Sequence, residues 1–287
     1  MKKATRLILL VGLFITGCNN ITDSSSSSFS STPKRTSQPI EVMNYYSGVD
    51  FSSVGETLMN FLHSKIKNHR TLNYKSLASY YRDTDTDSSG KIIDMYSNQN
   101  YYPNDNGFSA SSEGRGWNKE HSIPKSWFDG ASPMESDIFH IYPTDIYVNS
   151  KRSNYAYGRV ASATFTSSNG CKLGKSYGGG PTTVFEPADE YKGDFARTYF
   201  YFATCYMDKK IAEKGDSTFV FSSKKSYPKL TSYSIDLFLK WHRDDPVSQK
   251  EINRNKACYS VQNNRNPFID FPEFAEQIWG SLYGQDF

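Results

Sequence analysis

Proline sets the frame in the middle of this chain. Pro124 closes the strand-forming segment 116–123, and Pro143 closes a second one, 139–142. Proline lacks the N–H that a ladder needs, so a strand meeting one must end or lie at an edge. The polar stretch 144–155 follows, with Thr144 as its N-cap if it is helical. A further strand is expected over 91–96. A hairpin is expected from 163–168 through a two-residue Asn169-Gly170 turn to 172 onward. Leu58, Leu62 and Ile66 recur at helical spacing, which predicts a helix over 54–69, and a second short one is expected over 74–81. Downstream the pattern turns helical over 191–207, 234–241, 247–261 and 272–279. Strands in the middle with helices at both ends predict an α+β fold.

Residues before 40 stand outside that fold. Met1-Lys2-Lys3 is a positive start, 7–15 is a short apolar run, and Ile15-Thr16-Gly17-Cys18 closes it. The run is too short to span a bilayer, and its ending is similar to a bacterial lipobox. Residues 1–17 are therefore expected to be a signal peptide, cut before a lipidated Cys18. Several acyl chains hold a membrane far better than one. Residues 18–39 are rich in Ser and Thr and cannot bury enough apolar surface to fold, so they read as a flexible tether to a single domain over 40–287. The expectation is an extracytoplasmic, membrane-anchored lipoprotein on the cell surface or the periplasmic face, open to release, and monomeric.

The formal charge of +3 is no sign of a nucleic-acid partner. Of 33 lysines and arginines, Lys2, Lys3 and Arg6 lie in the leader, which leaves 30 against 30 acidic residues. Attraction to phosphate must come from a local cluster. Beyond Cys18 the cysteines are Cys171, Cys205 and Cys258, an odd number that allows at most one internal disulfide. Cys205 sits in an aromatic run and reads as a small buried residue. Asp83-x-Asp85-x-Asp87 hints at calcium, but Gly90 is displaced and no Glu stands at the twelfth position, so a solvated loop is favoured.

There are five histidines. His63 and His69 lie on the first helix, away from other ligands, and read as packing or surface residues. His242 follows a predicted helix end, where a partly cationic imidazole suits exposed carbonyls. His121 and His140 remain. Glu120 and His121 are adjacent, so on a strand they point to opposite sides. Near a strand end, the carboxylate can hold a metal while the imidazole faces a water. That division suits phosphodiester hydrolysis, in which a base of near-neutral pKa takes the proton of the attacking water. If 144–155 is helical, Asp145, Asn149 and Arg152 share a face. Asn149 offers a neutral oxygen to a hard cation, and Arg152 a fork for a phosphate.

Four blocks carry a specific likeness. They are Gly116–Phe128; Asp137 to Asp145 with Val148 to Gly158; Gly193 to Thr204; and Asp245-Pro246-Val247-Ser248 with Gln262 to Asp270. From about residue 50 to the C-terminus the chain resembles the bacterial endonuclease I family. The resemblance implies an α+β fold with a ββα-metal (His-Me finger) nuclease core and surrounding helices. It implies His121 as general base, Glu120 and Asn149 as ligands of one Mg²⁺ or similar ion such as Mn²⁺ or Ca²⁺, and His121 giving its other ring N–H to a backbone carbonyl. It implies cleavage of DNA and often RNA with little sequence preference, leaving 5′-phosphate ends. Family members often have two histidines where this chain has Phe139-His140, and an arginine where it has Lys119, so the role of His140 stays open between a structural and a catalytic one. Arg152 is the first choice to stabilise the transition state, with Arg115 and Arg159 as alternatives. Lys119, Lys151, Asn154 and Arg159 are expected on the substrate, with Lys125 in the same basic cluster. A surface lipoprotein that binds glycans or other polymers without catalysis is the alternative; such a protein has no need for Glu120, His121 and Asn149 together. A metallo-phosphoesterase for small substrates is a third reading.

Overall fold

The computed structural model describes residues 38–107, 109–211 and 214–285; the expected signal peptide, Cys18 and nearly all of the tether lie outside them. The fold is α+β, with two small antiparallel sheets set among helices. Strand β1 (Trp117–His121) pairs with β2 (Ile141–Asp145) in the register Trp117 to Asp145 and His121 to Ile141. The helix Ile146–Arg152 follows β2 without a loop. A second sheet has the order β3 (Val160–Thr166), β4 (Lys172–Ser176), β5 (Thr183–Glu186).

The helix Lys192–Cys205 is the centre of the core. Every residue from Gly193 to Cys205 is buried. Its sequence is aromatic on all sides, as a helix enclosed all round must be. It packs against the helices Gly55–Ile66, Ser232–Asp244 and Pro267–Asp270. Tyr199 meets Phe238 at 4.5 Å between ring centres, and Phe200 stacks on Trp279 at 4.8 Å. Each such ring, once enclosed, contributes about 1.5–3 kcal/mol. Arg197 does not pair with Asp194 on its own helix. It grips Glu251 through Nε at 2.5 Å and Nη2 at 2.8 Å, and Asp194 pairs with Lys250. Arg265 pairs with Asp270 at 2.7 Å, and Asn266 caps the helix Pro267–Asp270, so this polar stretch ties the C-terminal helices together.

Several elements differ from the sequence expectation. The segment 91–96 is no strand. The Asp94 carboxylate accepts the Tyr96 N–H at 2.9 Å and the Ser97 hydroxyl, a local turn that competes with a ladder. Pro143 lies inside β2, opposite Lys119; a two-stranded sheet has only edges, so the missing N–H is tolerated. The cap of the helix Ile146–Arg152 is Asp145, not Thr144: its Oδ1 accepts from Tyr147 N at 2.8 Å and Val148 N at 3.0 Å. The β3–β4 connection is the five residues 167–171, closed by Ser167 N–H to Cys171 C=O at 2.8 Å, rather than a two-residue turn. Asp85 is buried on Arg254 at 2.8 Å, while Asp87 bonds its own turn, so the acidic triplet diverges. Cys171, Cys205 and Cys258 are all free and buried.

His242 lies inside the helix Ser232–Asp244 and is not a cationic cap. Its Nε2–H donates to Pro272 C=O at 3.0 Å, and its Nδ1 faces Arg197 Nη1 at 3.2 Å. Burial and then the Arg197 charge push the imidazole down to about 4. An unfolded imidazole takes its proton near pH 6.5, so between 6.5 and 4 the unfolded chain gains a proton that the folded one refuses. This contribution to stability is whole above pH 6.5 and is lost as pH falls. Urea unfolding at pH 7.5 and pH 5 should show the wild type losing about 2 kcal/mol more than His242→Gln over that interval. The comparison cancels the other titrating groups.

Candidate active site

β1, β2 and the helix Ile146–Arg152 form a ββα unit. Asp145 is its hinge: besides capping the helix, its Oδ2 accepts from Tyr101 OH at 2.5 Å and Gly114 N at 3.0 Å. Ile146 N–H closes the helix start onto Gly116 C=O at 3.0 Å. The helix packs on both strands. Asn149 and Arg152 are three residues apart, hence on one face, and Arg152 reaches residues 120–122. That face therefore looks onto β1.

Glu120 is buried, and its two oxygens are not equivalent. Oε1 accepts from Tyr96 OH at 2.9 Å and from Arg152 Nη1 at 2.5 Å. Oε2 accepts no hydrogen bond from any described residue, and neither end of the Asn149 amide is hydrogen-bonded among them. Burial pushes the Glu120 carboxyl up, against the pull of the Arg152 charge and the Tyr96 hydroxyl. One free carboxylate oxygen and one free amide oxygen are the donor set a hard divalent cation prefers. The chemistry of these residues fits such an ion.

His121 ends β1 on the other side of the strand. Its Nε2 lies 3.0 Å from Glu135 C=O. A carbonyl only accepts, so Nε2 carries the hydrogen and Nδ1 keeps the lone pair. Nδ1 has no hydrogen bond among the described residues. The ring stacks on Tyr74 at 5.5 Å and 28°. Burial, then the neighbouring His140, push the imidazole down to about 3, below the near-neutral range expected from the sequence; this keeps Nδ1 unprotonated and also makes it a weaker base than a free imidazole.

Arg152 is not placed to grip a phosphate. It is 1% exposed, Nη1 also donates to His121 C=O at 2.6 Å, Nη2 donates to Ser122 C=O, and the guanidinium lies 4.8 Å over the Tyr157 ring. All of this faces inward, behind the carboxylate. The expected basic cluster likewise divides into separate cation–aromatic pairs. Lys119 Nζ donates to Tyr74 C=O at 3.0 Å and sits 4.0 Å over that ring. Lys151 lies 5.0 Å from the Tyr147 ring, and exposed Arg159 covers Tyr177 at 4.8 Å. Lys125 pairs with Glu135. Asn154 is exposed and lines a cleft of about 400 Å³ with Ser126, Trp127 and Lys214. Arg115 is exposed on the loop before β1.

Sequence reasoning missed Tyr96 and Tyr74; it expected a backbone carbonyl on the His121 ring, which Glu135 supplies, but not which residue would provide it. A tyrosine that serves a site by a distant contact looks like any other, and a backbone acceptor leaves no mark at all. A second cluster, His69, Asp137 and Cys205, also brings three ligand atoms within 4.8 Å of one another. Its atoms are already engaged. Asp137 accepts from Phe139 N, Gln262, Tyr201 and Tyr206, and His69 Nε2 meets Tyr206 OH at 2.9 Å. Burial raises the Cys205 thiol well above its usual range, which keeps it protonated. This is a packed hydrogen-bond knot, and its donors suit a hard cation poorly.

The sequence profile of the Endonuclease I family matches residues 54–273. The chain belongs to the endonuclease I family. Among its relatives is an extracellular ribonuclease of Bacillus subtilis, 32% identical over 252 residues, which are 82% of this chain and 78% of that protein. An extracellular ribonuclease of Bacillus amyloliquefaciens is 34% identical over 236 residues, 78% of this chain and 74% of that one. Endonuclease-1 of Buchnera aphidicola is 25% identical over 137 residues, 47% of this chain and 46% of its own. The Glu120–Arg152 pair is enclosed, its side chains 3% and 1% exposed. Removing one member of a buried pair strands the other, at about 3–5 kcal/mol. Arg152→Met should lose that much in urea unfolding. Adding Glu120→Gln to it should recover a large part, and a loss of under about 1 kcal/mol for Arg152→Met alone would contradict the burial described.

Proposed function

We propose that this chain is a metal-dependent endonuclease that hydrolyses phosphodiester bonds of DNA and RNA with little sequence preference. The observation that carries the reading is the division of labour at the end of β1. Glu120 has one oxygen tied to Arg152 and Tyr96 and the other open, while beside it His121 has its Nε2–H pinned and its Nδ1 open. Glu120 Oε2 and the Asn149 amide oxygen would hold one Mg²⁺ or similar ion. When bound, that ion supplies neutralising charge at the phosphate and the leaving oxygen. His121 Nδ1 takes a proton from water as the water oxygen attacks phosphorus. The bond to the 3′ oxygen breaks, that oxygen takes up a proton, and the phosphate stays on the 5′ side. The attack is by external water and does not use the 2′-OH, so either sugar is chemically acceptable.

Arg152 serves as the partner that keeps Glu120 ionised and fixed, not as a phosphate clamp. Lys125, Lys151, Asn154 and Arg159 are the residues we assign to the nucleic-acid backbone; Lys119 holds Tyr74 behind the base. Phosphate contacts carry affinity without sequence information and weaken as salt rises. The named Bacillus relatives are extracellular ribonucleases, which supports an extracytoplasmic location and RNA among the substrates. The signal peptide over 1–17, the lipid anchor at Cys18 and a monomeric state belong to this reading. Among the described residues no helix is long and apolar enough to cross a membrane.

The test is digestion of duplex DNA, single-stranded DNA and RNA by the purified chain with Mg²⁺, with and without EDTA. EDTA should abolish cleavage. His121→Ala should lower kcat by about 10²–10⁴-fold while substrate binding persists. Glu120→Ala and Asn149→Ala should raise the Mg²⁺ requirement by about tenfold or more. Full activity of His121→Ala would remove the mechanism. No cleavage of any polymer by the intact chain would leave the polymer-binding alternative.

A further inference from the structure

We infer that His140 is a positioning residue for His121, acting through the turn Met134–Ser136; this rests on the reading of His121 as the base. His140 is completely buried, and its Nε2–H donates to Met134 C=O at 2.7 Å. The next carbonyl along, that of Glu135, accepts Nε2–H of His121 at 3.0 Å. Two imidazoles thus hang from consecutive carbonyls of one short 3₁₀ turn. The backbone of His140 completes the circuit. Its carbonyl accepts both the N–H and the hydroxyl of Ser122, each at 3.0 Å, and Ser122 is bonded to His121 in the chain.

The result is a closed ring running from His121 to Ser122, across to His140, over to Met134, along to Glu135 and back to the His121 imidazole. A single hydrogen bond from His121 would leave its ring free to swing with a mobile turn. The closed ring fixes the turn relative to β1, so the acceptor for Nε2–H cannot drift. That holds one tautomer and aims Nδ1 outward. The two rings lie 5.5 Å apart at 58°, and Phe202 and Phe128 wall the far sides of His140 at 4.9 Å and 5.9 Å. Lys125, which pairs with the Glu135 side chain, braces the turn from outside. The charges that act on His140 are the Asp137 carboxylate, which favours its protonated form, and Arg254 and Arg152, which oppose it. Nδ1 of His140 is buried without a partner and touches nothing that could be substrate. His140 acts on the base alone.

The full-length chain carrying His140→Phe tests this. Phe keeps the ring and removes the donor. In metal-free protein, nitrogen NMR of the His121 ring should show one Nε2–H tautomer in the wild type and a mixture in the variant. With Mg²⁺, kcat should fall about 10–100-fold, as for loss of a partner that orients a functional histidine, and KM should move by no more than about twofold. In a His121→Ala background the same substitution should cost nothing further. An unchanged His121 tautomer, or an equal loss in both backgrounds, would overturn the proposal and leave the base assignment standing. Undiminished activity in His121→Ala would remove the base assignment instead, while the metal-free NMR would still report on the ring of hydrogen bonds. If His140→Phe does not fold, His140→Gln and His140→Asn replace it. Gln can place an N–H where Nε2 stood and should stay near wild type; Asn falls short and should show the tautomer mixture. Equal behaviour of the two would overturn the proposal.

Discussion

The structure turns on the ion pair between Glu120 and Arg152, enclosed where β1 meets the helix Ile146–Arg152. Such a pair costs several kcal/mol per ion in lost hydration, and its mutual attraction offsets that only with good geometry and further hydrogen bonds. The terminal nitrogens meet both conditions, while Arg152 Nε is buried without a hydrogen-bond partner among the described residues. The guanidinium gives its terminal nitrogens to the Glu120 carboxylate and to two successive carbonyls, and lies 4.8 Å over the Tyr157 ring. The pair is better understood as a device for specificity than as a source of stability. It fixes which carboxylate oxygen is bonded and leaves the other without a hydrogen bond among the described residues. It also cancels the carboxylate's charge. On the proposed reading, the ion then meets a nearly neutral protein site, and the substrate phosphate must complete its charge balance. That is the pattern of Mg²⁺ sites, which keep several waters and rely on few protein ligands.

The aromatic core is joined to this pair by hydroxyl tips. Tyr199, from the middle of the buried helix Lys192–Cys205, donates to Ser122 C=O at 2.8 Å, beside the Arg152 contact. Tyr96 bonds Glu120 and also meets Tyr157 OH at 2.7 Å. Tyrosine supplies a large apolar body and one polar end, so a core built from it can carry hydrogen bonds to its edge without stranding a polar group. The abundance of tyrosine in the sequence thus has a structural use. It lets the rigid centre of the molecule hold the end of β1 in place, and the functional groups inherit that rigidity.

What could be read in the sequence follows from range. Strand, strand and helix over 116–155, the adjacency of Glu120 and His121, and the helical spacing of Asn149 and Arg152 are local patterns, and the structure contains them. Depth was not local. Spacing rightly put Arg152 on the face of Asn149, but only the packing of that face on β1 shows that an arginine one turn farther along is swallowed. The same holds for Lys119, whose partner Tyr74 is 45 residues away, and for His242, which falls in the last turn of its helix but is buried against Pro272 and Arg197. Asp94 turned an apparent strand into a side-chain-bonded turn, a competition that apolar alternation does not register. The acceptors for His121 and His140 are backbone carbonyls and have no sequence signature.

Adjacent placement of an acid and an imidazole looks unfavourable for a shared site, because neighbours on a strand diverge. Here divergence is the useful property. On the proposed reading, an imidazole on the same side as Glu120 would compete for the cation and lose its lone pair to coordination. The carboxylate points toward Arg152 and the imidazole toward Tyr74 and Glu135, which leaves Nδ1 without a hydrogen bond among the described residues. The divergence comes from backbone parity, which no side-chain rotation can undo.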